Sequence, residues 1–532
     1  MAGEKSRSRR DVLKQSGMVT ALATAPVAAL APQAAEAAAS IRLSPLTGLE
    51  TDNLFTRIGV RPLINGRGTY TIISGSRSLP EVKRAMFEAS HYYVHLDEMM
   101  NAVGQKLGEL TGAEWGIATN GAEAAICLAT IACIADANVE KCQALPFVKA
   151  RDQVIVPGYS RNPYDLGVRM VGAEIVEVDT AEELRAKVSS RTAMIYVMSG
   201  PPAEKGPLSI ANLCALGKEL KIPVLVDAAA EEPIKPNPHL AAGATLVCYS
   251  GGKCLRGPQS SGMLIGNKAL CKAAYYQAAP HHAYGRALKC SKEETMGLLA
   301  AVEQWYKRDH DAEQRMWRGW LATIENRLKG LPSIRFEYIQ PVDLSNKATR
   351  LRIHWDANVL KITGTELVAK LDAGSPRILV EGGTGRRPDQ MASYFTVMPY
   401  MMDPGEDRII ADAVYECLTK PGTYANPVVP SGAPVAVAGN WAVTVQYLHG
   451  IGEQKFLLSG GGADVTGQHL GELYSGQIKG MVRGDEIELT SRMMVPGNPF
   501  NWVFKGKVSG NGMSGTATLG EYGVATWTAV RA

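Results

Sequence analysis

The chain has 532 residues, a hydrophobic fraction of 46% and a formal net charge of +4. This length allows several domains, and this hydrophobic fraction is ample for packed cores. The small net charge, without a long basic run interleaved with aromatic residues, gives no reason to expect a nucleic-acid partner. The nine cysteines are scattered without a CxxC pair, which favours reduced thiols over a disulfide framework. The histidines form no HExxH motif and no spaced Cys/His set, so no metal site is predicted.

The first 39 residues have the pattern of an export signal. Residues 6–14 read Ser-Arg-Ser-Arg-Arg-Asp-Val-Leu-Lys, and an apolar, alanine-rich stretch follows from Gly17 to Leu30. A twin arginine before such a stretch, with small residues near Ala37 or Ala39, is typical of Tat-type signals. The stretch is too alanine-rich and too interrupted by proline to make a permanent membrane span. We therefore expect a bacterial protein that the Tat translocase exports to the periplasm or the extracellular space; a disordered basic tail is the alternative.

Apolar strand-like runs alternate with helical segments after an arm at about residues 40–60. Continuously apolar runs are typical of buried parallel strands, and their alternation with helices predicts an α/β domain over residues 40–332. We expect a mostly parallel sheet with helices on both faces. The strand-like runs are Gln153–Val156, Glu174–Val178, Ala193–Met198, Val224–Val226 and Leu246–Tyr249, and two of the helical segments are Ala181–Val188 and Ile210–Leu220.

Two motifs in this domain suit a bound cofactor. The run from Ala118 to Ile126 begins as the loop Ala-Thr-Asn-Gly-Ala-Glu and continues as an apolar helix, whose first N–H groups can bind phosphate. The run Ile222-Pro-Val-Leu-Val-Asp227 predicts a buried strand with Asp227 at its carboxyl end, where ligands bind in open α/β sheets. A carboxylate there can keep the ring nitrogen of pyridoxal phosphate (PLP) protonated. An ordinary helix cap and a turn residue are the alternatives for the two motifs.

A third motif places a lysine at the end of a strand. The apolar run Thr245–Tyr249 ends in Ser250-Gly-Gly-Lys253, and a turn rich in glycine and serine leads to a second apolar run from Met263. Glycines allow close approach of the backbone to a ligand, and a lysine between buried strands is partly desolvated. Such a lysine can form a Schiff base with an aldehyde cofactor, although alone it could be a surface lysine in a β-turn. The order phosphate loop, carboxylate, lysine favours PLP.

Two further domains are predicted downstream. Helical sequence from Glu293 to Leu328 leads into a smaller α/β domain over residues 333–425, and a proline-rich linker follows at 426–435. Residues 436–532 contain short β-rich runs separated by Gly, Asn and Asp turns, which predicts an antiparallel sandwich or barrel. A stabilising or assembly module and a ligand-binding module both remain open for this last domain. The predicted strands in it are Trp441–Tyr447, Lys455–Leu458, Leu473–Lys479, Glu486–Met493, Trp502–Val508 and Ala525–Val530.

Residues 55–420 resemble the fold-type-I PLP enzymes of the branch that contains bacterial seryl-tRNA selenium transferase (selenocysteine synthase) and D-glucosaminate-6-phosphate ammonia-lyase. The matching pieces are Arg61–Thr69, Ala118–Ala125, Arg161–Asp165, Leu225–Ala228, Ser250–Gln259 and Gly285–Glu294. The resemblance implies that Lys253 is the Schiff-base lysine and that Asp227 pairs with the ring nitrogen. It also implies that Gly121, Ala122 and Ser250 hold the phosphate. The loop Thr-Asn-Gly-Ala-Glu departs from the asparagine-rich loop of the selenium transferases, which places the chain nearer the lyase-like relatives.

The same resemblance suggests substrate-binding residues. Arg286 and Lys289 lie where the relatives keep basic residues near the cofactor or the neighbouring subunit, and either could hold a phosphate or carboxylate. Asn65 and Arg67 lie in a segment that faces the active site in the relatives. Arg386 follows a glycine-rich run of the small domain, which often supplies an arginine for the substrate carboxylate. The alternatives are a solvated helix start, a tight turn and a surface loop, respectively.

These residues imply chemistry at Cα of a small-molecule amino substrate. The Lys253 amine would act as general base there. Loss of a β-hydroxyl would then give elimination, reprotonation would give racemisation, and addition would give β-substitution. The resemblance favours α,β-elimination from a hydroxylated amino acid or amino-sugar acid, in the ammonia-lyase manner. The alternatives are β-substitution in the selenium-transferase manner and an exported binding paralogue without turnover. Fold-type-I enzymes usually build the site across a dimer interface, so a homodimer or larger even oligomer is expected.

Overall fold

The computed structural model describes residues 52–342, 344–427 and 432–532. The predicted export signal, residues 1–39, lies outside this part of the chain. The chain divides into two units, residues 1–62 and 63–532. In the first unit, Thr56–Ile58 forms a 3-10 turn, and Oδ1 of Asn53 accepts hydrogen bonds from the backbone N–H groups of Phe55 and Thr56.

The second unit begins with a seven-stranded sheet and the helices around it. Its strands run in the order β2-β8-β7-β6-β5-β3-β4, and all neighbours are parallel except for β8, which is antiparallel to both β2 and β7. This confirms the predicted α/β fold with a mostly parallel sheet. Strand β1 (Leu63–Gly66) precedes this sheet and is not part of it. The strands of the sheet are, in chain order, β2 (Trp115–Thr119), β3 (Gln153–Pro157), β4 (Glu174–Val178), β5 (Thr192–Met198), β6 (Val224–Asp227), β7 (Leu246–Ser250) and β8 (Gly262–Gly266). The helices are α1 (Pro80–Ala89), α2 (Leu96–Thr111), α3 (Gly121–Ala135), α4 (Val139–Ala144), α5 (Leu166–Arg169), α6 (Ala181–Lys187), α7 (Pro201–Glu204), α8 (Ile210–Leu220), α9 (Pro238–Ala241), α10 (Lys268–Tyr276), α11 (Lys292–Trp305) and α12 (His310–Leu328).

Helix α3 fixes where the sheet is open to a ligand. Every residue from Ala124 to Ala135 is buried, as expected of a helix that is apolar on all sides. It packs against β7, β8 and α10. Only its first residues, Gly121 to Glu123, are partly exposed. The start of the helix therefore faces an accessible space at the carboxyl end of β2.

The small domain shares its core with two elements from the first part of the chain. Strand β1 pairs in parallel with β11, and Ile64 of β1 is buried together with Leu321 and Ile324 of α12 in the small-domain core. The pairing of β1 with β11 is non-local and leaves no mark in the sequence near either strand. The remaining strands of this domain are antiparallel, in the order β12-β10-β9. The elements are β9 (Arg335–Ile339), β10 (Arg350–Asp356), α13 (Ala357–Leu360), α14 (Gly364–Ala373), β11 (Arg377–Val380), β12 (Ala392–Val397) and α15 (Glu406–Thr419).

The C-terminal domain is a closed antiparallel barrel of eight strands. Six strands were predicted; the two that were missed, β15 and β19, contain glycine and few large apolar residues. The interior is filled by side chains that include Trp441, Phe456 and Trp527. The strands are β13 (Gly439–Gln446), β14 (Ile451–Ser459), β15 (Asp464–Leu470), β16 (Ser475–Arg483), β17 (Glu486–Met493), β18 (Phe500–Ser509), β19 (Gly512–Thr518) and β20 (Val524–Arg531).

The cysteines are all free thiols, and each is buried apart from the half-buried Cys290. Within the described ranges, no helix combines the length and apolarity needed to cross a membrane. No group of three or more His, Cys, Asp or Glu side chains in these ranges is arranged to hold a metal ion.

Candidate active site

Lys253 lies in the tight turn between the antiparallel strands β7 and β8. Glycine is required just before it, because a Cβ atom on Gly251 would collide with Oγ of Ser261. Burial lowers the pKa of the Lys253 ammonium, and the nearby negative charge of Asp227 partly opposes this shift. Among the described residues, the Nζ atom has no hydrogen-bond or ion-pair partner, so this partly buried amine is available to a ligand.

Asp227 is the last residue of β6 and is 3% exposed. Its Oδ1 atom accepts a hydrogen bond from the backbone N–H of Ala229 at 3.0 Å, and its Oδ2 atom accepts one from the hydroxyl of Tyr196 at 3.1 Å. Burial raises the pKa of this carboxyl, while the Ala229 N–H and the Lys253 charge oppose the rise. Asp227 is thus a buried acid within electrostatic reach of the lysine.

The three residues predicted to hold phosphate come together around Gly262, the first residue of β8. Gly262 is paired with Ser250 on one side and with Thr119 on the other. A Cβ atom on Gly262 would lie 2.5 Å from the carbonyl carbon of Gly121 and 2.7 Å from the nitrogen of Ala122. The hairpin that carries Lys253 is therefore packed directly against the loop before α3.

Gly121 also leaves room for a ligand. Its φ angle is +82°, which favours glycine, and a Cβ atom there would meet nothing within 4 Å. The open space adjoins the first N–H groups of α3, a 15-residue helix whose N-terminal end favours anions. The helix start, the Ser250 hydroxyl, the lysine and the buried carboxylate match the phosphate, aldehyde and ring nitrogen of PLP in kind.

Glu123 is a site residue that sequence reasoning did not single out. It lies in the first turn of α3, and burial, followed by the charge of Asp227, raises the pKa of its carboxyl. A charged carboxylate at this position would disfavour a phosphate, so the raised pKa reduces the conflict. The available signal was the loop Thr-Asn-Gly-Ala-Glu, in which the glutamate replaces the asparagine-rich pattern of the selenium transferases.

Tyr196 and Asn162 were also missed, and they form a buried relay to Asp227. The Nδ2 atom of Asn162 donates to the hydroxyl of Tyr196 at 3.3 Å and to the backbone oxygen of Ser160 at 2.7 Å. The Tyr196 hydroxyl in turn donates to Asp227. Burial holds the pKa of Tyr196 well above its usual value, so the hydroxyl stays protonated as a donor. Tyr196 lies inside an apolar run, where it could not be told from a core residue.

The segment around Asn65 and Arg67 reaches the lysine turn through its later residues. Asn65 itself shapes a turn, because its Oδ1 accepts from the N–H groups of Arg67 and Gly68 at 2.9 Å each. The guanidinium of Arg67 lies 4.6 Å from the centre of the Tyr70 ring. Further along, the N–H of Ser76 donates to the backbone oxygen of Gly252 at 3.1 Å, and Nε2 of Gln259 donates to the backbone oxygen of Thr71 at 3.1 Å. The structure therefore brings this segment against the lysine turn.

The basic residues predicted to bind substrate lie in different parts of the structure. The Nδ2 atom of Asn120 donates to the backbone oxygen of Lys289 at 3.0 Å, which places Lys289 beside the phosphate loop. Arg286 is exposed, and its Nη1 atom donates to the backbone oxygen of Pro280 at 3.1 Å. Arg386 is exposed in a turn closed by backbone hydrogen bonds with Gln390. No contact between Arg386 and the lysine turn is present in the described ranges.

Comparison with known proteins places this site among related enzymes. No protein-family model matches the chain. The chain is 27% identical over 380 residues to D-glucosaminate-6-phosphate ammonia lyase of Salmonella typhimurium, a match that covers 69% of this chain and 98% of the relative. It is 29% identical over 343 residues to the 5'-C-glycyluridine monooxygenase-decarboxylase of a Streptomyces species, covering 61% and 83% of the two chains. It is 27% identical over 300 residues to L-seryl-tRNA(Sec) selenium transferase of Proteus mirabilis, covering 52% and 58%.

A solved structure agrees with the sequence matches. The structure of D-glucosaminate-6-phosphate ammonia-lyase superposes with a TM-score of 0.61 at 25% identity, over 70% of this chain and 99% of that chain. These relatives are PLP-dependent enzymes, and the architecture is that of fold type I. The fold and the relatives together define the class of this protein: it is a PLP-dependent enzyme with the fold-type-I architecture.

Proposed function

We propose that this protein is an ammonia-lyase that acts by α,β-elimination on a hydroxylated amino acid or amino-sugar acid. The observation that carries the proposal is the partly buried Lys253 of the β7–β8 hairpin, whose ammonium lies within electrostatic reach of the buried carboxylate of Asp227. The match to an ammonia lyase over 98% of that relative's length supports the reaction type. Its named substrate, D-glucosaminate 6-phosphate, supports the substrate class.

The residues around the site have separate tasks. Lys253 would attach PLP through its Nζ atom, Asp227 would hold the proton on the ring nitrogen, and the backbone of Gly121 and Ala122 with the Ser250 hydroxyl would bind the phosphate. PLP, when bound, supplies an electron-withdrawing ring that stabilises negative charge at Cα. The role of the protein is to fix this ring between a base and a buried acid.

The proton transfers can be assigned to side chains of the site. The Lys253 amine is placed to take the proton from Cα, because burial lowers its pKa and increases the neutral fraction at neutral pH. The C–O bond to the β-hydroxyl then breaks, and this oxygen must receive a proton to leave as water. The newly protonated Lys253 can supply that proton, and so can Glu123, whose pKa is raised. Hydrolysis returns one water, so the net products are a 2-oxo acid and ammonia.

Two alternatives are supported by other observations. The selenium-transferase relatives support β-substitution, in which a nucleophile replaces the β-hydroxyl. A binding paralogue without turnover would have no need of a partly buried lysine within electrostatic reach of a buried carboxylate. Retention of both residues therefore favours catalysis.

We further propose that the protein is exported by the Tat pathway to the periplasm or the extracellular space and forms a homodimer or larger even oligomer. The twin arginine of residues 6–14 supports export. A cluster of exposed apolar side chains in the last turn of α1 and just after it supports association of two copies; it comprises Phe87, Tyr92, Tyr93 and Val94, which are 42%, 62%, 103% and 49% exposed. Export would be tested by replacing Arg9 and Arg10 with lysine, which should leave the protein in the cytoplasm.

The experiment that tests the function uses the purified full protein loaded with PLP. Visible absorption and ammonia release are followed while D- and L-amino acids and amino-sugar acids are added. The wild-type protein should bind PLP with a visible band that shifts with one substrate class and should release ammonia from that class. Lys253→Ala should lose both the visible band and the ammonia release. The control Lys268→Ala should retain both, because Lys268 is an exposed lysine beyond the opposite end of β8. A bound cofactor with no ammonia release from any substrate would overturn the lyase assignment.

A further inference from the structure

The barrel presents one end to the large domain. The loops that follow β13, β15, β17 and β19 all lie at the same end of the antiparallel barrel. In the loop after β17, a Cβ atom on Gly497 would lie 2.7 Å from Oδ2 of Asp165 and 3.0 Å from the backbone oxygen of Asn162. Gly497 therefore packs directly on the turn formed by residues 162–165 of the large domain.

This turn is rigid and is connected to the catalytic acid. Asp165 is fully buried and paired with Arg161 at 2.7 Å and with Arg169 at 3.1 Å. Asn162 begins the relay through Tyr196 to Asp227. The side chains of Asn162 and Tyr196 therefore connect the docked barrel loop to Asp227.

A second barrel loop reaches the same place. The Nδ2 atom of Asn498 is 3.4 Å from the hydroxyl of Tyr522, and the rings of Phe500 and Tyr522 are 5.9 Å apart. These contacts join the turn Gly520–Tyr522 to the docked loop. The neighbouring Glu521 is exposed and lies within electrostatic reach of the hydroxyl of Tyr164, which belongs to the docking turn.

The surroundings of Tyr164 are acidic. Burial raises the pKa of this tyrosine, and the charges of Asp227, Glu123 and Glu521 raise it further. Two of these acids belong to the cofactor site and the third to the barrel. Tyr164 is half exposed, and its hydroxyl lies within electrostatic reach of both the cofactor-site acids and the barrel loop.

We propose that the loop end of the barrel forms the outer wall of the active site and that Glu521 selects substrates with an uncharged, hydroxylated tail over substrates with a phosphorylated tail. The inference rests on the proposed lyase function and deepens it. A carboxylate accepts hydrogen bonds from hydroxyl groups and repels the negative charge of a phosphate. The protein would then differ from its relative, which is named for a 6-phosphate substrate.

The docking is tested without any substrate. Gly497→Ala in the full protein should push the barrel loop from Asp165 and increase amide hydrogen exchange at residues 160–168. Gly510→Ala is the matched control, because both glycines have positive φ angles, +80° and +56°, but a Cβ atom on Gly510 meets nothing within 4 Å. Equal exchange in the two variants would overturn the placement of the barrel at the site.

The selectivity is tested with D-glucosaminate and D-glucosaminate 6-phosphate as probes. The wild-type protein should have the higher kcat/KM with the unphosphorylated acid. Glu521→Lys should move the ratio of the two values toward the phosphorylated acid by about tenfold. Glu521→Asp should retain the wild-type ratio, and so should Asp464→Asn, which removes an exposed carboxylate at the other end of the barrel.

The outcomes separate this proposal from the one it rests on. Ammonia release by the wild-type protein with an unchanged ratio in Glu521→Lys would overturn the role of Glu521 and leave the lyase assignment intact. No ammonia release from any substrate would overturn both the lyase assignment and the substrate selection. The hydrogen-exchange comparison would still decide whether the barrel docks on the 162–165 turn.

Discussion

The hydroxyl of Tyr196 donates to Oδ2 of Asp227 at 3.1 Å, and both residues are buried. Replacing Tyr196 with phenylalanine removes this donor, so the pKa of the Asp227 carboxyl should rise. Because a charged Asp227 is needed to hold the ring proton, the acidic limb of the pH profile of kcat/KM should move to higher pH. The lost hydrogen bond should also cost about 1 kcal/mol in the free energy of unfolding.

The control for this variant is Tyr249→Phe on β7, the strand on the other side of β6. The Tyr249 hydroxyl is also buried but accepts from Nδ2 of Asn237 at 2.7 Å instead of contacting Asp227. Tyr249→Phe should lower the free energy of unfolding without shifting the acidic limb of the pH profile of kcat/KM. Superimposable pH profiles for Tyr196→Phe and the wild-type protein would contradict a role for Tyr196 in setting the charge of Asp227.

Gly262→Ala should weaken retention of PLP. The added Cβ atom would press on Gly121 and Ala122, and the N–H groups of the loop would move from the phosphate. We expect a loss of affinity on the order of tenfold or more, equivalent to about 1.4 kcal/mol. Equilibrium dialysis of PLP against the purified variants measures the effect. Gly319→Ala is the control, because Gly319 lies in α12 with open space around it; the prediction is wrong if both variants retain PLP equally.

The barrel should lose stability as the pH falls below neutrality. His469 is fully buried, with Nε2 2.6 Å from Oε1 of Gln454 and Nδ1 2.9 Å from Oγ of Ser491, and burial lowers its pKa from 6.5 to about 4. Between these two values the unfolded chain binds a proton that the folded barrel does not. The free energy of unfolding should therefore fall as pH falls through this window, by about 3 kcal/mol in total.

Denaturant unfolding followed by tryptophan fluorescence at pH 7 and pH 4.5 measures this dependence. His469→Gln removes the titrating group and should flatten the dependence on pH. His449→Gln, which changes an exposed histidine of the same barrel, should leave it unchanged. An equally steep dependence in His469→Gln would show that other groups cause it.

Tyr93→Glu should separate the subunits of the proposed oligomer. Tyr93 is fully exposed in the apolar cluster after α1, and a buried charge at an interface between copies would be costly. Light scattering of the purified protein should give half the molar mass of the wild-type protein. Leu473→Glu, at an exposed leucine of the barrel that is 86% exposed, is the control and should retain the wild-type mass. A monomeric wild-type protein would contradict the proposed assembly directly.

Much of the fold could be predicted from local sequence pattern. The predicted runs Ala193–Met198 and Leu246–Tyr249 lie within the buried strands β5 and β7, because continuous apolar and β-branched sequence bounded by polar residues specifies a short buried strand. Asp227 and Lys253 could be found for the same reason, since each follows such a run. The glycines around Lys253 also indicated that the backbone can approach a ligand closely there.

The rest depends on contacts between distant parts of the chain. The pairing of β1 with β11 and the packing of Gly497 on Asp165 join residues hundreds of positions apart, and neither has a local pattern. The role of Tyr196 follows only from the register between β5 and β6, which pairs Tyr196 with Leu225, two residues before Asp227 on the same face of the sheet. Strand β19 was missed because its small residues lack the alternation that marks a half-buried strand.

The double pairing of β8 has a consequence for how this protein can change in length. All five residues of β8 are paired both with β7 and with β2, so the strand cannot slide to absorb an insertion. An added or deleted residue in 251–261 would therefore displace Lys253 relative to the loop before α3 while the sheet stayed intact. The barrel turn at 460–463, in contrast, is exposed and joins only two neighbouring strands. Natural and engineered variants should accept insertions at that barrel turn and reject them between β7 and β8.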